Sequence, residues 1–449
     1  MTSGTAPATF AALKITAKVT SVSIASAPVV NFSLSDQNGF PIIGFGSKSK
    51  SSTATVASYP NLAFSLAKLV PGSNGSPSKW VSYIVTTVPT TTAAAAPTRP
   101  STDNTGTLVD NGDGTYKYTF YRDVTQIKSQ VDGMTVTAPN NKADLGDLTY
   151  DANLVHRLTI QISGNAPGTG TNTSDAVQVV PGVPLTNAVD VIYDFIPATG
   201  QAPTSAQTRE VAANANCNSC HSTLGGIPGD SPESSGAGFH GGSRNNVQYC
   251  VVCHTEQRKY GRTEATIDAS LTFTSQTYRV NDRAVGNLPN LVHKTHLGEI
   301  LAKKNYNFAG VVFNEVLYPQ DIRNCTKCHD GTSGASGSVQ TAQGDNWKTT
   351  PSRLACGACH DGINFATGTG VTLEDAAAGL TSSPNGHIGG PQADDSLCSL
   401  CHKPANIDVY HTPVTPPNPA NSLLLGQTNS NTNAAWIASN SVRLPAGAI

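Results

Sequence analysis

Five short stretches hold the residues best suited to chemistry: CNSCH from Cys217, CVVCH from Cys250, CTKCH from Cys325, CGACH from Cys356 and CSLCH from Cys398. They use all ten cysteines: Cys217, Cys220, Cys250, Cys253, Cys325, Cys328, Cys356, Cys359, Cys398 and Cys401. Each second cysteine is followed at once by a histidine, giving His221, His254, His329, His360 and His402. Ten cysteines in an exported chain could form a disulfide framework, and CxxC pairs could be zinc-ribbon corners or redox dithiols. None of these requires a histidine at a fixed place. With 11 histidines among 449 residues, composition alone would put one after a given pair roughly once in forty, and after all five about once in 10⁸.

Covalent haem attachment does require it. The two thiols add to the haem vinyl groups, and the neighbouring histidine reaches the iron from the same side. On one helical turn the three residues fall at i, i+3 and i+4 and share a face, so each motif is expected to be such a turn. Five c-type haems follow, with His221, His254, His329, His360 and His402 as proximal ligands.

Six histidines lie outside the motifs. His156, in the alternating run NLVHRLTIQIS, reads as a surface or edge histidine of a β-domain. His240, His293, His296, His387 and His411 all fall among the haem motifs, so five haems have five candidate distal ligands. Methionine cannot replace them, since the chain has two and Met134, the one away from the start, lies upstream of every motif. Bis-histidine iron implies low potentials and no open coordination site. His293 and His296, in NLVHKTHLGEI, project from one helical face. One axial position of every iron is already taken, so the pair is expected to serve two different haems; a zinc site would need a further ligand when every cysteine is spent. Cys217 to His411 spans about 39 residues per motif, too few to wrap each macrocycle separately. The haems are therefore expected to pack against one another as an electron path.

The elements that must hold these residues divide in two. Residues 1–203 read as an all-β unit, an antiparallel Greek-key sandwich or split barrel. Its strand signals are LKITAKVTSVSI, VVNFSLSD, WVSYIVTTV, GTYKYTFYRDV and HRLTIQISG, with a hairpin turning at Asn111 to Gly114. Asp110 and Asp113 beside that turn could bind calcium or simply shape it. TTVPTTTAAAAPTRPSTDNTG reads as a mobile low-complexity loop. Residues 204–412 read as a loop-rich, mostly α pentahaem domain, entered by a helix from Thr204 or Ser205 that runs into the first motif. Residues 413–449 read as a linker and the start of a following domain.

A formal charge of −2 leaves no basic stripe for nucleic acid. Charged residues are only 13%, a balance common in exported proteins. No apolar run reaches 18 residues, so no transmembrane helix is expected. MTSGTAPATF has neither an n-region nor an h-region, which suggests a removed signal or a fragment.

The phrases SAPVVNFSLSDQNGFPI, GTLVDNGDGTYKYTF, TREVAANANCNSCHSTLG, GFHGGSRNNVQYCVVCH, NLVHKTHLGEIL and YPQDIRNCTKCH together resemble the OmcA/MtrC-type decahaem cytochromes c of the outer membrane. The resemblance covers nearly the whole chain and implies the first split barrel and first pentahaem domain of such a protein. It also implies a place on the extracellular face of the outer membrane or in secretion, rather than in the periplasm. The implied partners are a porin-cytochrome conduit, other multihaem cytochromes, flavins and metal oxides. The chain departs from the pattern in having five motifs, no spare cysteine pair for a barrel disulfide and no lipid-bearing cysteine. The expected function is an electron relay, a terminal metal reductase in its most enzymatic form. An open-site enzyme of the nitrite or hydroxylamine type and an extracellular filament subunit are the alternatives.

Overall fold

The computed structural model describes residues 6–228, 238–332, 334, 337–383 and 386–413. The reading of residues 413–449 as a linker falls, from 414 onward, outside the described residues. Two four-stranded antiparallel sheets form the first half. Strands β1 (Thr16–Ser23), β2 (Val29–Ser35), β5 (Thr107–Asp110) and β6 (Thr115–Thr119) pair in the order β1-β2-β6-β5. Strands β3 (Leu62–Val70), β4 (Lys79–Ser82), β7 (His156–Ile162) and β8 (Val189–Phe195) pair in the order β4-β3-β7-β8. The chain changes sheet after β2, β4 and β6, which makes the two layers one unit.

The layers meet through aromatic rings. β2 alternates, burying Val30, Phe32 and Leu34, while Phe64 of β3 stacks on Tyr118 of β6 with ring centres 3.8 Å apart. The Tyr118 hydroxyl donates to Asp103, and Asp103 also pairs with Arg122 at 2.9 Å, so the polar atoms buried with the rings are satisfied.

β3 and β7 do not alternate; nearly every residue of each is buried. Their second face is covered by the other half of the chain, where short helices are strung between loops: α1 (Asn214–His221), α2 (Val247–Cys253), α3 (Leu288–Leu297), α4 (Arg353–Cys359), α5 (Cys398–Cys401) and α6 (Pro404–Tyr410). α2 lies on the sheet, where Val252 and Cys253 cluster with Ala67, Leu69, Trp80 and Val155. Buried Gln257, just beyond α2, accepts from Ser82 N–H at 2.9 Å and donates to the carbonyls of Ser82 and Leu145 at 3.0 and 2.9 Å. Arg157 of β7 donates to both oxygens of Asp194 at 2.7 Å, to the Gln248 carbonyl at 3.2 Å and to Glu210, with its guanidinium over the Trp80 ring.

Several expectations change here. The hairpin forms as expected, with Asn111 N–H closing on Thr115 O at 3.0 Å. The helix expected from Thr204 begins only at Asn214. Tertiary bonds take the intervening backbone instead: Glu210 N–H donates to the side-chain oxygen of Gln343, its carbonyl accepts from Gln343 N–H, and its carboxylate accepts from Arg157. The low-complexity segment is tied back to the sheet, Thr98 and Ser101 N–H donating to Val85 and Ile84. Asp110 and Asp113 accept turn N–H groups from Gly112 and Thr115, and among the described residues no three His, Cys, Asp or Glu side chains group as a metal-ion site. His156 is fully buried rather than at a surface or edge, because both faces of β7 are covered. Its Nδ1 donates to Leu154 O at 2.9 Å and its Nε2 accepts from the Tyr83 hydroxyl at 3.1 Å.

Two outcomes follow from this packing. Arg157→Met leaves Asp194 and Glu210 without their cation, so it should cost about 3 kcal/mol in denaturant unfolding followed by tryptophan fluorescence. Burial pulls His156 down to about 4, so between that value and the usual ~6.5 the unfolded chain binds a proton that the folded chain does not. Stability should be fully present above ~6.5 and fall as pH drops through this window. In His156→Gln, comparing urea midpoints on the two sides of it should show less acid sensitivity.

Candidate functional site

Each motif sits at the end of a helical turn. His254, His329, His360 and His402 close their N–H onto the carbonyl of the first cysteine of their motif at 2.8 to 2.9 Å. That i+4 bond is the geometry the spacing calls for. Asn246 caps α2 and Ser352 caps α4 through side-chain oxygens. The third motif departs from an α-turn, being a 3₁₀ turn over Cys325–Lys327. The side-chain oxygen of Asn324 is taken by the Thr326 hydroxyl at 3.1 Å rather than by a helical N–H, so no longer helix is nucleated.

All ten cysteines are free of disulfides. Burial pushes the thiols of Cys217 and Cys325 up to about 11 and those of Cys250 and Cys359 up to about 12.

The histidines come in pairs. Ring centres are 5.9 Å apart for His221 and His296, 6.0 Å for His254 and His240, and 5.9 Å for His329 and His293. They are 6.3 Å apart for His360 and His411, and 6.2 Å for His402 and His387. Every motif histidine therefore faces one histidine from outside the motifs. A metal–imidazole bond of about 2.0 Å, with roughly 1.1 Å more to each ring centre, puts two imidazoles on opposite sides of one iron at about 6.2 Å. The spacing fits a hexacoordinate haem iron at all five places. His293 and His296, on one face of α3, turn toward different motifs, the third and the first.

The rings are aimed by the backbone. Nδ1 of His254, His293, His296, His329, His387 and His411 lies 2.7 to 3.0 Å from the carbonyls of Gly286, Pro289, Val292, Val211, Gly390 and Ile407 respectively. A carbonyl only accepts, so Nδ1 carries the proton and Nε2 keeps its lone pair for a metal. Burial reinforces the neutral form, pulling His254 to about 3 and His240 and His293 to about 4. α3 begins with Pro289 in its first turn and ends at Gly298, whose φ of +53° and closeness to the Val316 carbonyl leave no room for a Cβ. His240 itself holds φ +52°, a conformation uncommon outside glycine that occurs at functional positions.

Neighbouring motifs lie within electrostatic reach of one another. Besides burial, which dominates, Cys217 raises the pKa of Cys250, Cys328 that of Cys217, Cys325 that of Cys359 and Cys398 that of Cys356. The motifs thus adjoin in the order second, first, third, fourth, fifth. Asn216, buried in α1, ties the first to the third by donating to Cys328 O and Val339 O at 3.0 Å and accepting from Val339 N–H at 2.7 Å. Sequence reasoning missed Asn216 and also Arg209 and Arg258, partly buried beside His329 and His254 with no carboxylate partner among the described residues. A lone arginine or asparagine in a loop carries no periodic or motif signal that would have revealed them.

Two free thiols on a turn beside an imidazole whose Nε2 is kept free, faced by a second imidazole at an iron-spanning distance, suit covalent haem and define a multihaem c-type cytochrome. The family and sequence comparisons agree. Residues 209–412 match the family described as outer membrane cytochrome MtrC/MtrF-like, domains II/IV. The multiheme cytochrome MtrC of Shewanella baltica (strain OS185) is 25% identical over 412 residues, which is 90% of this chain and 43% of that protein. The crystal structure of MtrC from the same organism aligns with a TM-score of 0.49 at 22% identity, covering 89% of this chain and 45% of the other. The outer membrane decaheme cytochrome OmcA aligns with a TM-score of 0.47 at 22% identity, covering 81% and 45%. Over residues 209–412 the chain thus matches the MtrC/MtrF-like family model, and as a whole it is similar to the OmcA/MtrC-type outer-membrane cytochromes c while spanning less than half the length of these relatives. Among the described residues no helix is long and apolar enough to cross a membrane.

Asn216→Leu leaves the Cys328 carbonyl and both main-chain groups of Val339 without their partner. It should cost about 2–3 kcal/mol, read as a lower thermal midpoint of the haem-loaded protein.

Proposed function

We propose that this chain carries five covalent haems, each bound through one CxxCH motif and closed by a second histidine. The pairs are His221 with His296, His254 with His240, His329 with His293, His360 with His411 and His402 with His387. One observation carries the reading: five imidazole pairs, each at an iron-spanning distance, with no motif histidine left over. Held this close together, haems supply one-electron chemistry and pass electrons along the run of motifs. The distal imidazoles keep small substrates off the metal, which favours a relay over an open-site enzyme. The carbonyls behind Nδ1 keep each ring neutral and aimed, and Arg209 and Arg258 supply positive charge for haem carboxylates.

Residues 1–203 act as a brace and 204–412 as the haem-bearing domain. The acceptors that suit such a relay are bulky or external, taking electrons at an exposed haem edge: metal oxides, flavins or another cytochrome. A porin-cytochrome conduit is the matching donor, with the protein on the outer face of the outer membrane.

The test uses the pair of histidines on α3. His293→Ala and His296→Ala should each convert one haem to high spin, about one fifth of the low-spin signal in absorption and EPR spectra. The two variants should lose different components of a potentiometric titration. Loss of the same component in both would overturn the pairing.

A further inference from the structure

Lys294 stands on α3 between the two histidines, and its side chain is buried where α3 meets α4, with 4% of the residue exposed. Nζ donates to the carbonyls of Gly357 and Ala358 in the last turn of α4 at 2.8 and 3.1 Å and lies 5.3 Å from the centre of the Tyr306 ring. The helix C-terminus and the ring face both attract a cation. Lys303 is buried close by, and Asp361 is the carboxylate near both. Its oxygens accept from the N–H groups of Ala302 and Lys303 at 2.9 and 3.0 Å. Lys303 also feels Glu264, but that carboxylate is half exposed and pairs with Arg279 at 3.7 Å, so among the described residues the buried part of the seam sets two ammonium groups against one carboxylate.

We propose that Lys294 is a positioning residue that sets the reduction potentials of the third and fourth haems, holding them above those of the other three. This rests on the reading that His293 with His329, and His360 with His411, hold those two haems. Reduction adds one electron, and hence one negative charge, at each iron. A cation buried in a low-dielectric seam stabilises that state. The hydrogen bonds to Gly357 and Ala358 fix the cation relative to both motifs, because α3 carries a ligand of one and α4 carries the thiols of the other. The middle of the relay would then be where electrons reside between transfers.

The experiment is a potentiometric titration of the haem-loaded protein, followed by visible absorption, in wild type, Lys294→Met and Lys294→Arg. Five low-spin haems in wild type must be seen first; fewer would overturn the reading of the haem sites rather than the role of the lysine. In Lys294→Met two of the five components should move to more negative potential while three stay in place, and Lys294→Arg should titrate as wild type. A Lys294→Met titration indistinguishable from wild type would refute the proposal, as would an equal shift in Lys294→Arg. If Lys294→Met loads fewer haems, Lys303→Met takes its place, since it removes a charge from the same seam without breaking a side-chain hydrogen bond. The same two components must then move negative, and no movement overturns the proposal.

Discussion

Six imidazoles in the haem-bearing segment give their Nδ1 proton to a main-chain carbonyl, and much of the surrounding fold serves to fix those carbonyls in place. Pro289 and Val292 present theirs from within α3, one turn behind His293 and His296. Val211, behind His329, belongs to the extended segment anchored through Glu210 to Arg157 and Gln343. Gly286, behind His254, precedes Asn287, whose side chain donates to Glu256 at 2.9 Å. A carbonyl that drifted would free its ring to rotate or to take the other tautomer, and Nε2 would no longer face its partner.

The β-domain is part of this apparatus and not an appendage. The central strands of its second sheet, β3 and β7, are buried on both faces, one by the first sheet and one by α2, so the second motif is packed as though it were a further layer of the sandwich. Gln257 and Arg157 stitch the seam with bonds to main-chain carbonyls and carboxylates. A segment with few large apolar side chains of its own thereby borrows a rigid wall, which a chain built around cofactors needs where porphyrin does not supply the core.

The attachment motifs were legible because covalent haem chemistry demands contiguous residues. The number of outer histidines was legible for a related reason, since each iron has one remaining axial position. Which histidine faces which motif was not legible, because His296 lies 75 residues after His221 and only the placement of α3 joins them. LAFSLAKLV of β3 gave no alternating signal because water reaches neither face, and the same double burial turned an expected edge histidine, His156, into a core one. The helix expected from Thr204 failed where Glu210 found stronger partners far away in sequence. Arg209, Arg258 and Lys294 were invisible since their meaning depends on what they lie beside.

The order of residues along the chain carries a consequence for manufacture. On the proposed pairing, His240, His293 and His387 precede the motifs they face, whereas His296 and His411 follow theirs by 75 and 51 residues. As the polypeptide emerges from its amino end during export, the second, third and fifth motifs arrive with their opposing imidazole already present. The first and fourth do not. On that pairing a freshly attached haem at Cys217 or Cys356 would pass through an interval with one face uncovered, so sequence order alone would set the two places where maturation is most exposed to stray ligands.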